Sequence, residues 1–76
     1  MSFQGYLKTI KEKTGKIPAD FRAMAEEKGF TQNGQLQASV KAGDIVKWLK
    51  DDFELGHGHS MAIYALLKGI KNEDSV

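Results

Sequence analysis

The stretch Asp44-Ile45-Val46-Lys47-Trp48-Leu49-Lys50-Asp51-Asp52-Phe53-Glu54-Leu55-Gly56-His57-Gly58-His59-Ser60-Met61-Ala62-Ile63-Tyr64-Ala65-Leu66-Leu67-Lys68-Gly69-Ile70 decides the fold. It reads as a helix, a glycine-histidine turn and a second helix. At about 100° per residue, Trp48, Ile45, Leu49, Phe53 and Val46 fall on one arc of the first helix, and Lys47, Lys50, Asp51 and Glu54 on the other. Asp52 breaks the pattern. It falls between Ile45 and Trp48, where an unpaired carboxylate would be costly to bury. A partner or a wet edge is therefore expected for it, and His59 is the candidate partner. In the second helix Ala62, Ile63, Leu66, Leu67 and Ile70 form the apolar stripe, flanked by Met61 and Tyr64.

Upstream of this stretch, Phe3, Tyr6, Leu7 and Ile10 recur at i, i+3, i+4 and i+7, the spacing of one helix face. Ser2 is the expected cap and Gly15 the stop. Pro18 suits a first helical position, with Asp20 in the first turn. Phe21, Met24 and Ala25 face inward. Gly29 ends that helix, and Phe30 is placed to fold back over its last turn. Residues 31–40 are the least regular. Asn33-Gly34 is a turn signal, but the alternating Gln35-Leu36-Gln37-Ala38 has no evident strand partner. The expectation is a loop anchored by Leu36 and Val40. The polar tail Asn72-Glu73-Asp74-Ser75-Val76 is expected to fray.

At 76 residues, 41% apolar and without cysteine, the chain is sized for one small domain spanning residues 1–76, with no disulfide or thiolate metal site. No apolar run approaches a membrane span. Met1 to Tyr6 lack the basic-then-apolar layout of a signal peptide, so a cytoplasmic location is expected. The net charge of +1 supplies no strong field towards nucleic acid or membrane. Lys8, Lys11, Lys13 and Lys16 against Glu12 make the first helix basic, which reads first as a solvated face. Thr14-Gly15-Lys16 is not a phosphate loop, because that motif needs two spaced glycines after a strand.

The chemistry-bearing residues concentrate in the turn. Gly56-His57-Gly58-His59 reads first as structure, since tight turns ask for glycine regardless of function. A second reading is an anion site, with the N–H groups of Gly58, His59 and Ser60 at a helix start and histidine adding charge at lower pH. A third is a metal held by His57 and His59 with Asp52 or Glu54, a weak pattern without cysteine. A fourth is a His–Asp general base, for which no nucleophile is specified; Ser60 is adjacent in sequence only. The last is a DNA-binding helix-turn-helix. Residues 41–76 carry five lysines against six carboxylates, and the second helix has no Arg, Asn or Gln to read base edges, so charge and composition argue against it.

Met1-Ser2-Phe3-Gln4 with Tyr6-Leu7, Lys13-Thr14-Gly15-Lys16 with Pro18 and Asp20-Phe21-Arg22, and Lys41-Ala42-Gly43-Asp44-Ile45-Val46 with Trp48-Leu49-Lys50 and Leu55-Gly56-His57-Gly58-His59 together resemble a small bacterial family known only as a domain of unknown function. The resemblance spans nearly the whole chain. It implies a compact helical domain, standing alone or fused to a second domain, and no activity or catalytic residue. Two departures stand out: Ile17 where the family often has Thr, and a longer or more polar 31–40 connection.

These readings converge on an all-α, compact four-helix domain with helices at about 2–14, 18–28, 42–54 and 59–70. The expected core is Phe3, Tyr6, Leu7, Ile10, Phe21, Met24, Ile45, Trp48, Leu49, Phe53, Ile63, Leu66, Leu67 and Ile70. The expected function is a non-enzymatic protein-interaction module without cofactor or metal, whose partner is another protein or a second copy. The alternative is an anionic-ligand or nucleic-acid binder using the helix start at Gly58–Ser60. In either case the candidate site is His57, Gly58, His59 and Ser60, with Asp52.

Overall fold

The computed structural model describes residues 3–71. Ser2 and residues 72–76, for which a cap and a frayed tail were expected, lie outside them. Helix α1 spans Phe3–Thr14, α2 Pro18–Glu27, α3 Ala42–Phe53 and α4 His57–Lys68. Between α2 and α3 lies a small hairpin of β1, Thr31–Gln32, and β2, Gln35–Leu36. The four-helix, mostly all-α architecture is as expected.

Helix ends are set by short-range chemistry. Thr14 closes α1: its Oγ1 donates to the Ile10 carbonyl at 2.7 Å and accepts the Lys16 N–H at 3.0 Å. Neither Ile17 nor Lys41 has a side-chain oxygen to cap α2 or α3. The third helical residue compensates in both: Asp20 Oδ2 accepts the Ile17 N–H at 3.0 Å, and Asp44 Oδ2 the Lys41 N–H at 2.9 Å. Each is the carboxylate half of a capping box, placed where the helix dipole also favours negative charge. At the end of α2 the Phe30 N–H reaches back to the Ala25 carbonyl at 2.9 Å, and Phe30 packs on the core as the glycine cap predicts.

The 31–40 segment corrects the loop expectation. The missing strand partner lies within the segment itself, because Thr31 pairs with Leu36 and Gln32 with Gln35, antiparallel. Asn33 and Gly34 both take positive φ, 56° and 78°. That is the two-residue turn whose twist matches a hairpin and which Asn-Gly favours. Leu36 and Val40 do pack against the core.

The four helices share one core. Phe21, Ile10, Ile45, Leu49, Leu55 and Ile63 are essentially withdrawn from solvent. Phe21 stands at the centre of an aromatic cluster, its ring edge-on to Phe53 at 5.4 Å and to Trp48 at 6.4 Å. Phe30 lies 5.6 Å from Trp48 on the other side. Of the expected core, Tyr6, Leu7, Met24 and Phe53 are only partly buried. Ile70 is not in the core at all: it is 64% exposed. Helix α4 stops at Lys68, Gly69 turns left-handed, and the chain leaves the helix axis before Ile70 can continue the stripe. Leu55 takes a core place that the helical pattern does not offer it.

Candidate functional site

The link between α3 and α4 is shorter than the glycines suggest. Helix α4 begins at His57, with Gly56 as an extended N-cap, rather than near residue 59. The left-handed residue that ends α3 is Glu54, with φ of 56°. Neither Gly56 nor Gly58 has positive φ. The Glu54 and Leu55 N–H groups close the α3 end on the Lys50 and Leu49 carbonyls, which carries Leu55 inward and leaves Gly56 to start the next helix.

Starting α4 two residues early changes the site. The Ser60 N–H is already used inside the helix, bonded to the Gly56 carbonyl at 2.9 Å. The N–H groups at the free end are therefore those of His57, Gly58 and His59, not of Gly58 to Ser60. No side chain caps this end and no acidic residue sits in its first turn.

The predicted site residues disperse around the first turn of α4. His57 is exposed. His59 is half-buried against α1, its ring edge-on to Tyr6 with centroids 5.1 Å apart. Its Nε2 is shielded from solvent with no hydrogen-bond partner among the described residues, as is the Ser60 hydroxyl. Ser60 is wholly buried, so its hydroxyl does not face a solvent-borne substrate.

Asp52 does not join this group. Its carboxylate meets Lys28 Nζ at 3.6 Å, and both side chains are about half exposed. The wet edge expected for this out-of-pattern carboxylate is thus the α2 side of α3. The Lys28 ammonium also stands 5.7 Å over the Trp48 ring. A pair this exposed contributes at most about 1 kcal/mol. The Asp52–His59 pairing is replaced by one contact to Lys28 at the C-cap of α2 and one to Tyr6 of α1. Among the described residues no three His, Asp or Glu side chains converge as metal ligands, so the two-histidine reading lacks its third ligand.

The structure instead assembles a cleft of about 770 Å³, lined by Val46, Lys50, Asp51, Glu54, Leu55, Gly56 and His57. Of the predicted site only His57 lines it. Half-buried Val46 supplies the apolar surface, buried Leu55 lies beneath it, and the charged side chains form a rim. Val46 lies at the edge of the α3 apolar arc, the one sequence signal for this surface. Leu55 carries no such signal, because it lies outside both helices.

Gly58 offers a local check on what the turn requires. A Cβ there would meet the Tyr6 hydroxyl at 3.5 Å, an ordinary contact. Gly58→Ala is therefore expected to stabilise the fold by about 0.5–1 kcal/mol through helix propensity. A chemical denaturation midpoint lower than wild type would show that the close approach of Tyr6 dominates.

These features define a small helical domain with a hairpin insert and an open cleft. The family model for DUF4287, a domain of unknown function, matches residues 2–69, and the chain belongs to that family. Comparison with curated proteins and with solved structures returned no significant match. No helix of the described residues is long and apolar enough to cross a membrane.

Proposed function

We propose that this domain is a non-enzymatic protein-interaction module whose docking site is the cleft between α3 and the start of α4. The observation that supports this reading is the composition of the cleft: half-buried Val46 above a floor of buried Leu55, within a rim of Lys50, Asp51, Glu54 and His57. An open apolar patch ringed by polar groups is the usual form of a protein-binding surface. Two carboxylates against one lysine favour a partner segment that inserts one apolar side chain between basic neighbours. The non-enzymatic part is supported by the burial of Ser60 and by the contact of Asp52 with Lys28, which leave the His–Asp base reading without its carboxylate and its hydroxyl away from solvent.

Selection of displayed random peptides against the whole chain tests this. The expected outcome is an apolar anchor next to Lys or Arg. Val46→Asp should abolish binding, and Asp51→Lys, an exposed change, should weaken it several-fold. Absence of a consensus, or one indifferent to both variants, sinks the proposal. So does a concentration-dependent dimer that buries the cleft, which would place a second copy there.

The anion reading has its own supporting observation, the uncapped α4 start with exposed His57. Titration with inorganic phosphate should then shift the amide signals of His57, Gly58 and His59. Unmoved signals at these residues remove it.

A further inference from the structure

We infer that a groove on the other flank of α3 is a second half of the docking site: it seats an arginine side chain of the same partner segment, over Trp48 and against Asp52, and Lys28 occupies that seat until the partner arrives. The shared partner rests on the docking reading of the α3–α4 cleft. A cavity of about 320 Å³ has in its lining the aromatic Phe30 and Trp48 and the charged Asp51, Asp52, Lys28 and Lys47. Asp51 lines both this cavity and the cleft. At about 100° per residue, Val46 and Lys50 fall on one flank of α3, Trp48 and Asp52 on the other, and Asp51 on the exposed ridge between them. One extended segment crossing that ridge reaches both.

The groove already attracts a cation. The Lys28 ammonium stands 5.7 Å over the Trp48 ring and 3.6 Å from Asp52 Oδ2. The negative face of the indole and the carboxylate beside it both favour positive charge at that point. The hold on Lys28 is weak, because both side chains of the pair are about half exposed. It is therefore open to exchange. Arginine is the better occupant: its planar guanidinium stacks on an indole and gives a carboxylate two parallel hydrogen bonds, which an ammonium does not. Charge complementarity points to the same partner, since Asp51 and Glu54 on the cleft rim already favour a basic segment. The width of α3 sets the spacing. A helix with its side chains is about 10–12 Å across and an extended chain advances about 3.3–3.6 Å per residue, so the arginine lies about three residues from the apolar anchor.

Two measurements on the whole chain test this. In the first, N-acetyl-arginine amide and its neutral isostere N-acetyl-citrulline amide are titrated while NMR follows the Trp48 indole signal, the only one in the chain. Saturable shifts with the arginine probe alone are expected. Binding should be about threefold tighter to Lys28→Gln, because no internal cation then has to leave. Asp52→Asn should weaken it several-fold. Lys47→Gln, which removes the same charge from the same groove, should gain less than Lys28→Gln. In the second, peptides selected against the chain should carry an arginine about three residues from the anchor, and citrulline in its place should weaken them several-fold. Citrulline binding as tightly as arginine, equal gains from Lys28→Gln and Lys47→Gln, or indifference to Asp52→Asn overturns the seat. Selected peptides that bind the cleft with no arginine response at Trp48 overturn this inference and leave the docking reading standing. A saturable arginine response without any selected peptide supports the seat and overturns the docking reading with its shared partner.

Discussion

Phe21→Ala is expected to abolish cooperative unfolding. Phe21 has no exposed surface and touches the cluster that joins α2 to α3 through Trp48 and Phe53. Truncating a buried phenylalanine costs about 3–5 kcal/mol. A single core of this size leaves only about 3–5 kcal/mol of net stability. The two quantities are equal within their spread, so the variant should populate a state that keeps helical content and loses fixed packing. Near-ultraviolet circular dichroism, which reports Trp48 and its aromatic neighbours, should collapse, while the far-ultraviolet signal falls less. A sigmoidal thermal transition within a few degrees of wild type would contradict this account of the core. Phe21→Leu keeps most of the buried volume and should retain a cooperative transition.

Leu55→Ala is expected to cost about 2–5 kcal/mol, the range for a buried leucine truncated to alanine. The size of that effect separates the fold from the sequence pattern. By pattern Leu55 is a turn residue between two helices, and turn residues on a surface change stability by about 0.5 kcal/mol or less. By structure it is 2% exposed and lies in the same core as Ile45, Leu49 and Ile63. Urea denaturation decides it: a loss below about 0.5 kcal/mol would mean the leucine is not held inside. Glu54 is coupled to this result. Its left-handed backbone, which a non-glycine residue adopts at a cost, is what directs Leu55 inward.

Helix existence was legible because periodicity is a local signal: i, i+3, i+4 repeats in Phe3–Ile10 and Ile45–Phe53 need no knowledge of the rest of the chain. Helix ends were legible where one residue type enforces them, as at Pro18, Gly15 and Gly29. They were misread where two chemistries competed. Gly56 and Gly58 carry the turn signal, yet Glu54 makes the turn, because burial of Leu55 repays its backbone cost. The hairpin was half legible: Asn33-Gly34 announces a tight turn, but two-residue strands are too short to show a pattern. The candidate site was legible least. Whether Asp52 meets His59 or Lys28 depends on which helices flank α3, and no local spacing contains that fact.

By itself the sequence determined the class of this protein: four amphipathic helices, each delimited by proline, glycine or aspartate, with an apolar face to bury. Those are properties of segments of about ten residues, governed by backbone sterics and helix periodicity. Only the tertiary structure decided which surfaces remained. It placed Val46 and Leu55 at an open cleft, set His59 against Tyr6 and sent Asp52 to Lys28. The physical reason is that a surface site is made of what packing leaves uncovered, which follows from helix docking and not from any one helix.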